Sequence, residues 1–532
     1  MKSNYVYIYD STLRDGAQTR GVDFNLSDKR AITEYLDILG VDYIEGGWPG
    51  ANPTDDAYYE NLVKTKRAKI SAFGMTRRAS SSAENDPGLN SLINSGAKII
   101  TMVGKTWDFH VHEALNISLE ENIEMIRSSI EYAKTQVDEV MFDAEHFFDG
   151  YRANPEFAIN CVKAAYEAGA RWIVLCDTNG GMLPHDVDEI VEEVTQYIPG
   201  NYLGIHCHDD TGNAVANSLA AIRAGVRQVQ GTLNGLGERC GNANLITLIP
   251  NLMLKTEYEV GITEKDLTKL THIAQLVDER LGRNLNPAAP YVGTRAFAHK
   301  GGLHVSAVAK APQAYEHVAP ETVGNERHIL VSNQAGRSNI LSRLKDIGID
   351  IDSKDKRIQE LVDIVKQREF EGYAYDGAEA SFELLAKHHL KLIQDYFRTL
   401  HFRVIDERRW NKVGQLVTMS EAVVKMEING KHFMQVAEGS GPVGALDKAM
   451  RQVLQNVWPE LKNVKLVDYK VRILTPQAAT DAVTRVFVES EDKAGHHWQT
   501  IGVSSNIIDA SYAALRDSMI YYLYHIINQD NA

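Results

Sequence analysis

The sequence lacks long hydrophobic runs, is poor in cysteine, and has fewer basic than acidic residues. No segment approaches the roughly 20 apolar residues of a membrane-spanning helix, so we expect no membrane partner. The four cysteines form no C-x-x-C pair, and Met1–Tyr9 runs into an apolar strand without a signal-peptide pattern. We therefore expect reduced thiols and a cytoplasmic location. The formal net charge of −15 argues against nucleic acid as a partner, because nucleic acid requires a basic face.

The 532 residues exceed a single hydrophobic core, and 44% of them are hydrophobic, as in ordinary globular proteins. In the first half of the chain, short β-rich runs alternate with helical patterns. Eight strands are predicted, at Tyr5–Tyr9, Tyr43–Glu45, Lys69–Gly74, Ile99–Val103, Glu139–Asp143, Trp172–Cys176, Tyr202–His206 and Gln228–Leu233. This alternation predicts a (β/α)8 TIM barrel. A doubly wound sheet is the rival, but it would not bring the first and seventh strands together as simply.

Beyond the barrel, the pattern predicts charged amphipathic helices, including Lys356–Gln367 and Ala380–Arg398. From residue 401 onwards there is a weak internal repeat, in which strand-like runs precede a small-residue turn and a helix. The two turns, Gly439–Asp447 and Gly502–Ser511, either hold the carboxylate of a small ligand or merely shape the chain. The expected fold class is α/β, with a TIM barrel at residues 1–275, helical linker subdomains at 276–400 and an α+β domain at 401–532.

Two motifs place metal-ligand side chains at the ends of predicted barrel strands. Asp10-Ser-Thr-Leu-Arg-Asp-Gly16 follows the first strand, and His206-Cys-His-Asp-Asp210 follows the seventh. Residues i and i+2 of a strand face the same side, so His206 and His208 project together. Asp15 completes a facial triad for one divalent metal. Because barrel active sites lie at the C-terminal ends of the strands, the motifs predict a catalytic metal site.

Each motif alone has an ordinary structural explanation, since an Asp-Gly pair is usually a turn and an H-x-H pair on a strand is more often structural. Their conjunction favours the metal site. Arg14, next to the predicted ligands, can neutralise an oxyanion. A second H-x-H pair, His110 and His112, has no acidic partner motif and is not expected to bind a metal.

Three ordered motifs resemble those of the isopropylmalate, homocitrate and citramalate synthases. They are Asp10-Ser-Thr-Leu-Arg-Asp-Gly16, Ile205-His-Cys-His-Asp-Asp-Thr-Gly-Asn-Ala-Val-Ala-Asn217 and Gly231-Thr-Leu-Asn-Gly-Leu-Gly-Glu-Arg-Cys-Gly-Asn242. The resemblance covers essentially the whole chain, because the C-terminal repeat is similar to the regulatory domain of this family. Trp48-Pro-Gly-Ala-Asn-Pro53 and Ala17 resemble the citramalate branch, whereas isopropylmalate synthases usually have Glu at position 17 and Phe-Pro after the second strand.

The resemblance implies a Claisen-type condensation with acetyl-CoA as co-substrate, in isoleucine biosynthesis. The methyl group of acetyl-CoA is deprotonated, its enolate attacks the ketone of pyruvate, and thioester hydrolysis releases citramalate and CoA. A 2-keto acid can chelate a divalent metal ion (Mn, Mg or Zn), which orients it and polarises its carbonyl group. The resemblance also implies a homodimer and a branched-chain amino-acid effector bound by the domain at 401–532.

The same resemblance assigns residues to the metal and to the oxyanion. The implied metal ligands are Asp15, His206, His208 and Asn242. Arg14 is implied to stabilise developing negative charge, and Glu45, at the end of the second strand, fits the acidic partner that holds this arginine.

Four further residues match positions of the family that contact the substrates. Thr178 fits the residue that hydrogen-bonds the carboxylate of the keto acid, and Glu145 fits a glutamate near the acetyl group. His304 and Tyr315, in the linker region, are the candidates for proton abstraction, which in this family often uses groups from the other subunit.

The runner-up function is a 2-isopropylmalate synthase, which condenses acetyl-CoA with 3-methyl-2-oxobutanoate. The two functions differ in pocket size, and one or two methylene groups change binding by only about 1–3 kcal/mol in a hydrophobic pocket. A retro-aldol lyase or carboxyltransferase is disfavoured, because the tail has no biotin attachment signal and the glycine-rich cysteine loop of the lyases is absent. An inactive amino-acid sensor is opposed by the intact metal and arginine motifs.

Overall fold

The computed structural model describes residues 4–283, 285–299, 302–329, 336–410 and 412–529. Internal contacts divide the chain into two compact units, Met1–Phe297 with Val318–Glu326 and Ala298–His317 with Arg327–Ala532. Within the described ranges, no helix combines the length and the apolar composition that crossing a bilayer requires.

The first unit contains a closed barrel of eight parallel strands that pair in chain order, with the last strand paired to the first. The strands are β1 (Tyr7–Asp10), β2 (Tyr43–Glu45), β3 (Lys69–Met75), β4 (Ile99–Lys105), β5 (Glu139–Glu145), β6 (Trp172–Asp177), β7 (Leu203–Cys207) and β8 (Gln228–Gly231). The predicted (β/α)8 barrel is confirmed, and each predicted strand overlaps an observed one. Most strand residues are buried, as expected between a filled interior and a helical layer.

Helices connect and follow the barrel strands. They are α1 (Leu26–Leu39), α2 (Pro53–Glu60), α3 (Pro87–Ile93), α4 (Asp108–His110), α5 (Leu119–Lys134), α6 (Phe147–Ala153), α7 (Pro155–Glu167), α8 (Pro184–Val194), α9 (Ala214–Arg223), α10 (Leu245–Lys255), α11 (Glu264–Leu267) and α12 (Leu270–Arg280). Helix α1 shows how polar residues set a boundary. The Asn25 side chain accepts from the Asp28 N–H, and the Asp28 carboxylate accepts from the Asn25 N–H, which forms a capping box.

Large side chains fill part of the barrel interior. Tyr9, Tyr43, Met141 and Trp172 are buried there, and the Trp172 indole N–H donates to the Tyr43 hydroxyl at 3.4 Å. This packing supports the strands from inside. The polar residues of the site lie at the C-terminal ends of the same strands, which is the face where barrel enzymes place their chemistry.

In its described residues, the second unit contains four α-helices before its main sheets, and two short parallel strands. The helices are α13 (Gly302–Lys310), α14 (Arg337–Asp346), α15 (Lys356–Phe370) and α16 (Glu379–His389), and the strands are β9 (Ala298–His299) and β10 (His328–Ile329). The predicted helix Ala380–Arg398 is wrong at its C-terminal end. Lys391 has a left-handed φ of 59°, which ends the helix, and the buried Tyr396 and Phe397 that follow join the core of the next domain.

Two βββα repeats form the rest of the second unit. The first comprises β11 (Arg398–Trp410), β12 (Leu416–Ile428), β13 (Lys431–Gly439) and α17 (Pro442–Gln455), and the second comprises β14 (Lys465–Ile473), β15 (Thr484–Glu491), β16 (His497–Ser504) and α18 (Ile507–Gln529). The predicted repeat is confirmed, with three antiparallel strands in each half. Strands β11 and β16 were not predicted. The outer half of β11 is exposed and charged, so it lacks the apolar alternation that marks a half-buried strand.

Gly439 and Gly502 lie where the third strand of each repeat approaches the following helix. A Cβ at Gly439 would lie 2.4 Å from the Ala445 nitrogen, and one at Gly502 would lie 1.9 Å from the Ala510 oxygen. Gly502 lies inside β16, so the predicted turn at Gly502–Ser511 is wrong at its start. Close backbone approach explains the glycine at both positions.

Candidate active site

Three buried ligand side chains converge at the C-terminal ends of β1 and β7. Asp15 follows the turn after β1, and His206 and His208 lie at the end of β7. The Asp15 Oδ2 atom is 3.5 Å from His206 Nε2 and 4.0 Å from His208 Nε2. One ligand atom from each residue lies within 4.8 Å of the other two, while the intervening Cys207 is packed into the hydrophobic core. The structure thus brings together the three side chains that the motifs predicted.

Buried polar atoms without partners indicate that these residues fit a cation. Within the described structure, Asp15 Oδ1, His208 Nδ1 and Asn242 Oδ1 are buried and have no hydrogen-bond partner. Asn242 Nδ2 donates to the Leu236 carbonyl at 3.1 Å, and the backbone of Asn242 forms an isolated antiparallel β-bridge with that of His208. Buried polar atoms in proteins nearly always have partners. Carboxylate, amide oxygen and imidazole ligands suit a divalent metal, which would supply the missing partner.

The electrostatics of Asp15 and His208 also fit a metal. Burial alone would raise the pKa of Asp15, but Arg14 and the hydrogen bond with His206 hold that pKa well below its usual range. Burial, and then the neighbouring His206, lower the pKa of His208 to about 4. Metal ligation needs an ionised carboxylate and a neutral imidazole, and these are the forms expected for Asp15 and His208 near neutral pH.

Arg14 is held by a buried carboxylate and by an aromatic ring. Its Nε donates to Glu45 Oε2 at 2.7 Å, and one terminal nitrogen donates to Asp15 Oδ2 at 3.1 Å. The guanidinium carbon lies 3.9 Å from the centroid of the Phe73 ring. Glu45 is fully buried and also accepts from two hydroxyl groups, those of Tyr9 and Ser11. The guanidinium plane is therefore fixed from three directions, with a cation–π contact on one face.

The turn after β1 is tied to the last strand of the barrel. Asp10 accepts hydrogen bonds from the backbone N–H and the hydroxyl of Thr12, at 2.9 and 2.8 Å. The Thr12 hydroxyl oxygen accepts from the backbone N–H of Leu233, just after β8, at 2.9 Å. These contacts explain why the motif carries Asp and Thr at positions that do not face the metal site.

Glu145 and Thr178 lie at the ends of β5 and β6. Glu145 forms an ion pair with Lys105, its register partner at the end of β4. The Thr178 hydroxyl oxygen accepts from the backbone N–H of His146 at 2.9 Å. The hydroxyl group thereby keeps its own proton for donation to a ligand.

A cavity of about 260 Å³ joins these groups. Its wall includes Arg14, Asp15, Glu145, Thr178, His206 and His208, together with Trp48, Phe73 and Met75. The rings of Trp48 and Phe73 pack edge to face with centroids 5.4 Å apart. Trp48 also lines two further cavities, of about 310 and 400 Å³. The first cavity has room for a small substrate, and the neighbouring cavities add room for a larger one.

His304 and Tyr315 belong to the second unit and form a pair of their own. Their rings stack with centroids 4.2 Å apart and an angle of 28° between the planes, and both residues are exposed. Glu316, next in the chain, is buried and accepts hydrogen bonds from both Arg327 and His299. This ion pair anchors the segment that carries Tyr315.

The second H-x-H pair does not gather metal ligands. The His110 ring lies 4.3 Å from that of His146 and 5.0 Å from that of Trp107, in an aromatic cluster. In the described ranges, the group of three ligand side chains found close together is Asp15, His206 and His208.

Three polar residues at the site were not predicted. Lys105 pairs with Glu145, and Gln230 bridges His206 and Asp143. A polar residue in an otherwise apolar barrel strand indicates a functional position, and Asp143 and Gln230 both occur in such strands. Their partners, however, come from strands far away in the sequence.

Comparison with known proteins extends over nearly the whole chain. Family models described as HMGL-like, homocitrate synthase post-HMGL domain-like and LeuA allosteric (dimerisation) domain match residues 5–277, 291–371 and 376–523. An (R)-citramalate synthase of Aquifex aeolicus is 50% identical, over 97% of this chain and 98% of that protein. One from Geobacter sulfurreducens is 51% identical, over 98% of both chains. A 2-isopropylmalate synthase of Dictyoglomus turgidum is 30% identical, over 96% of both chains.

The fold and the matched models define a metal-site barrel enzyme of the HMGL-like class with a C-terminal LeuA-type domain. The chain belongs to the HMGL-like family, in the branch that contains these (R)-citramalate synthases. The predicted family resemblance is confirmed.

Proposed function

We propose that this protein condenses acetyl-CoA with pyruvate to give citramalate and CoA, in isoleucine biosynthesis. The observation that carries the proposal is the buried Asp15, His206 and His208 set beside Arg14. It occurs in a chain about half identical to (R)-citramalate synthases over nearly its full length. The 2-isopropylmalate synthases among the relatives are 30–31% identical, so we assign pyruvate and not 3-methyl-2-oxobutanoate as the keto acid.

Four residues would hold a divalent cation, namely Asp15, His206, His208 and Asn242. Mn, Mg or Zn is compatible with this mixed oxygen and nitrogen set, and the bound ion would orient the 2-keto acid and polarise its ketone. Thr178 donates its free hydroxyl proton to the carboxylate of the keto acid. This role follows from its hydrogen bond with His146, in which the hydroxyl oxygen is the acceptor.

Arg14 stabilises the negative charge that develops on the ketone oxygen during attack. Glu45 and Phe73 hold the guanidinium group before substrate arrives, so little reorganisation is needed when charge develops. Donors arranged in advance in a buried site are the largest source of such stabilisation.

Proton removal from acetyl-CoA needs a base. We assign this role to His304, with Tyr315 as the ring that stacks on it, because both are exposed and accessible to a substrate. Glu145 is assigned to the neighbourhood of the acetyl group, where its ion pair with Lys105 fixes its position.

We further propose a homodimer regulated by a branched-chain amino acid, most simply isoleucine. The barrel at 1–275 would be catalytic, the segment at 276–400 a linker and the domain at 401–532 regulatory. This last domain overlaps the match to the LeuA allosteric (dimerisation) model. Its sheets expose several large apolar side chains, including Ile405, Met434, Val436, Val471 and Ile473. Extended exposed apolar surface is typical of an interface. The four free cysteines support a reducing cytoplasm.

The assay that tests the function measures thiol release from acetyl-CoA with a panel of 2-keto acids. The protein is stripped of metal and reloaded with Mn²⁺, and the product is identified by mass spectrometry. We expect citramalate, with the highest kcat/KM for pyruvate. This function would be excluded if pyruvate gave no thiol release. It would also be excluded if the kcat/KM for 3-methyl-2-oxobutanoate equalled or exceeded the kcat/KM for pyruvate.

A further inference from the structure

A buried hydrogen-bond chain runs from His206 to strand β5. His206 Nδ1 lies 2.8 Å from Gln230 Oε1, and Gln230 Nε2 donates to Asp143 Oδ1 at 3.1 Å. His206 and Gln230 are register partners on the adjacent strands β7 and β8. Asp143 reaches Gln230 from β5, which does not pair with β8. Gln230 is fully buried, and Asp143 is only 3% exposed.

The carboxyl group of Asp143 determines which end of the Gln230 amide points to each of its two neighbours. The structure places the amide nitrogen of Gln230 on Asp143 Oδ1, and a carboxylate oxygen can only accept hydrogen bonds. The amide oxygen of Gln230 therefore faces His206.

The direction of the chain selects one tautomer of His206. Because Nδ1 faces an oxygen that can only accept, Nδ1 carries the ring proton. With the Nδ1 proton held by Gln230, Nε2 is the ring nitrogen that is left to bind a cation, on the side where Asp15 Oδ2 lies 3.5 Å away. That is the form of imidazole that binds a metal, and an oriented partner on the other ring nitrogen is a common way to hold it.

We propose that Gln230 and Asp143 are positioning residues that fix the His206 tautomer and thereby set the affinity of the site for its divalent cation. The inference rests on the metal site of the proposed function. It adds a part of the site that lies outside the three sequence motifs, apart from the ligand His206 itself.

Packing is the competing explanation, because both side chains fill space inside the barrel. Isosteric exchanges separate the two explanations, since they keep the shape and change only the hydrogen bonding. In Asp143→Asn, either end of the new amide can face Gln230, so the orientation of the Gln230 amide towards His206 is no longer fixed. In the double variant Gln230→Glu/Asp143→Asn, the asparagine N–H donates to the glutamate, which can only accept from His206. The original tautomer is then restored.

The experiment measures Mn²⁺ affinity by calorimetry on full-length, metal-stripped protein without substrate. Co²⁺ absorption in the visible range reports the ligand geometry. The variants are Gln230→Met, Asp143→Asn and the double exchange. Gln228→Met is the matched control, because Gln228 is also a buried glutamine on β8 and its amide contacts Met141 Sδ at 3.6 Å. Leaving substrate out separates metal affinity from any effect of Asp143 on the wall of the substrate cavity.

We expect Gln230→Met to weaken Mn²⁺ binding about 10- to 100-fold, the usual effect of losing an outer partner of a metal ligand. The Co²⁺ spectrum should change with it. Asp143→Asn should also bind more weakly, the double exchange should bind more tightly than Asp143→Asn, and Gln228→Met should bind like the wild type. Unchanged affinity in Gln230→Met, or a double exchange no tighter than Asp143→Asn, would overturn the proposal. The isosteric variants decide the question even if Gln230→Met fails to fold.

His206→Ala separates failure of this inference from failure of the proposed metal site. If His206→Ala binds Mn²⁺ like the wild type, the metal site itself is wrong. If it loses binding while Gln230→Met does not, only the positioning role is refuted.

Discussion

Replacing Arg14 by lysine keeps the positive charge but removes the geometry that holds it. The guanidinium group donates to Glu45 at 2.7 Å and to Asp15 at 3.1 Å, and it stacks on Phe73 at 3.9 Å. An ammonium group has no planar face and cannot make both hydrogen bonds from one rigid fork. The charge would therefore no longer be fixed where the oxyanion forms.

The size of the loss follows from the role assigned to Arg14. Removing one preorganised donor to an oxyanion lowers kcat about 10²- to 10³-fold, or roughly 3–4 kcal/mol. Glu45 is fully buried, so an imperfect partner also leaves part of its charge uncompensated. We therefore expect the kcat of Arg14→Lys to be lower than that of the wild type by a factor of at least about 10².

The assay is thiol release from acetyl-CoA with pyruvate, under saturating Mn²⁺. Arg152→Lys is the matched control, because Arg152 pairs with Asp186 at 2.9 Å and its side chain is 49% exposed. The control should retain wild-type kcat. If Arg14→Lys kept more than about a third of the rate, the assigned role of Arg14 in stabilising the oxyanion would be refuted.

Further predictions concern the substrate pocket, the regulatory domain and the core. Trp48→Ala should raise kcat/KM for 3-methyl-2-oxobutanoate relative to pyruvate by about 10- to 200-fold, because Trp48 lines the cavity; an unchanged ratio would remove Trp48 as a determinant of substrate size. Isoleucine should bind the full-length protein in calorimetry and inhibit turnover, with a coupling of about 1–3 kcal/mol, and failure of both isoleucine and leucine to bind would refute the effector assignment. Phe382→Ala should lower the free energy of unfolding of the second unit by about 3–5 kcal/mol in urea, since Phe382 is fully buried, and a loss below about 1 kcal/mol would contradict this packing argument.

The barrel could be predicted because its signal is local and repeated. Each strand is a short β-rich run between helical patterns, and the ends of the predicted and observed strands differ by at most two residues. The pairing of Asp15 with His206 and His208 was also predictable. It needs only the i, i+2 geometry of a strand and the rule that barrel strand ends meet at one face.

The parts that were missed depend on contacts between distant segments. Lys105 and Gln230 become recognisable only from the register of neighbouring strands, which sets Lys105 beside Glu145 and Gln230 beside His206. The end of α16 was missed because a left-handed residue and the core of a following sheet, not helix propensity, decide where it stops. Tertiary context overrides the local pattern at these positions.

The central claim is that Asp15, His206 and His208 hold one divalent cation on which a 2-keto acid is oriented. Anomalous X-ray diffraction at the manganese edge, from crystals grown with Mn²⁺ and pyruvate, tests it directly. We predict one anomalous peak within bonding distance of these three side chains, with the carboxylate of pyruvate next to Thr178. A peak elsewhere in the barrel, or none at these residues, would contradict the account.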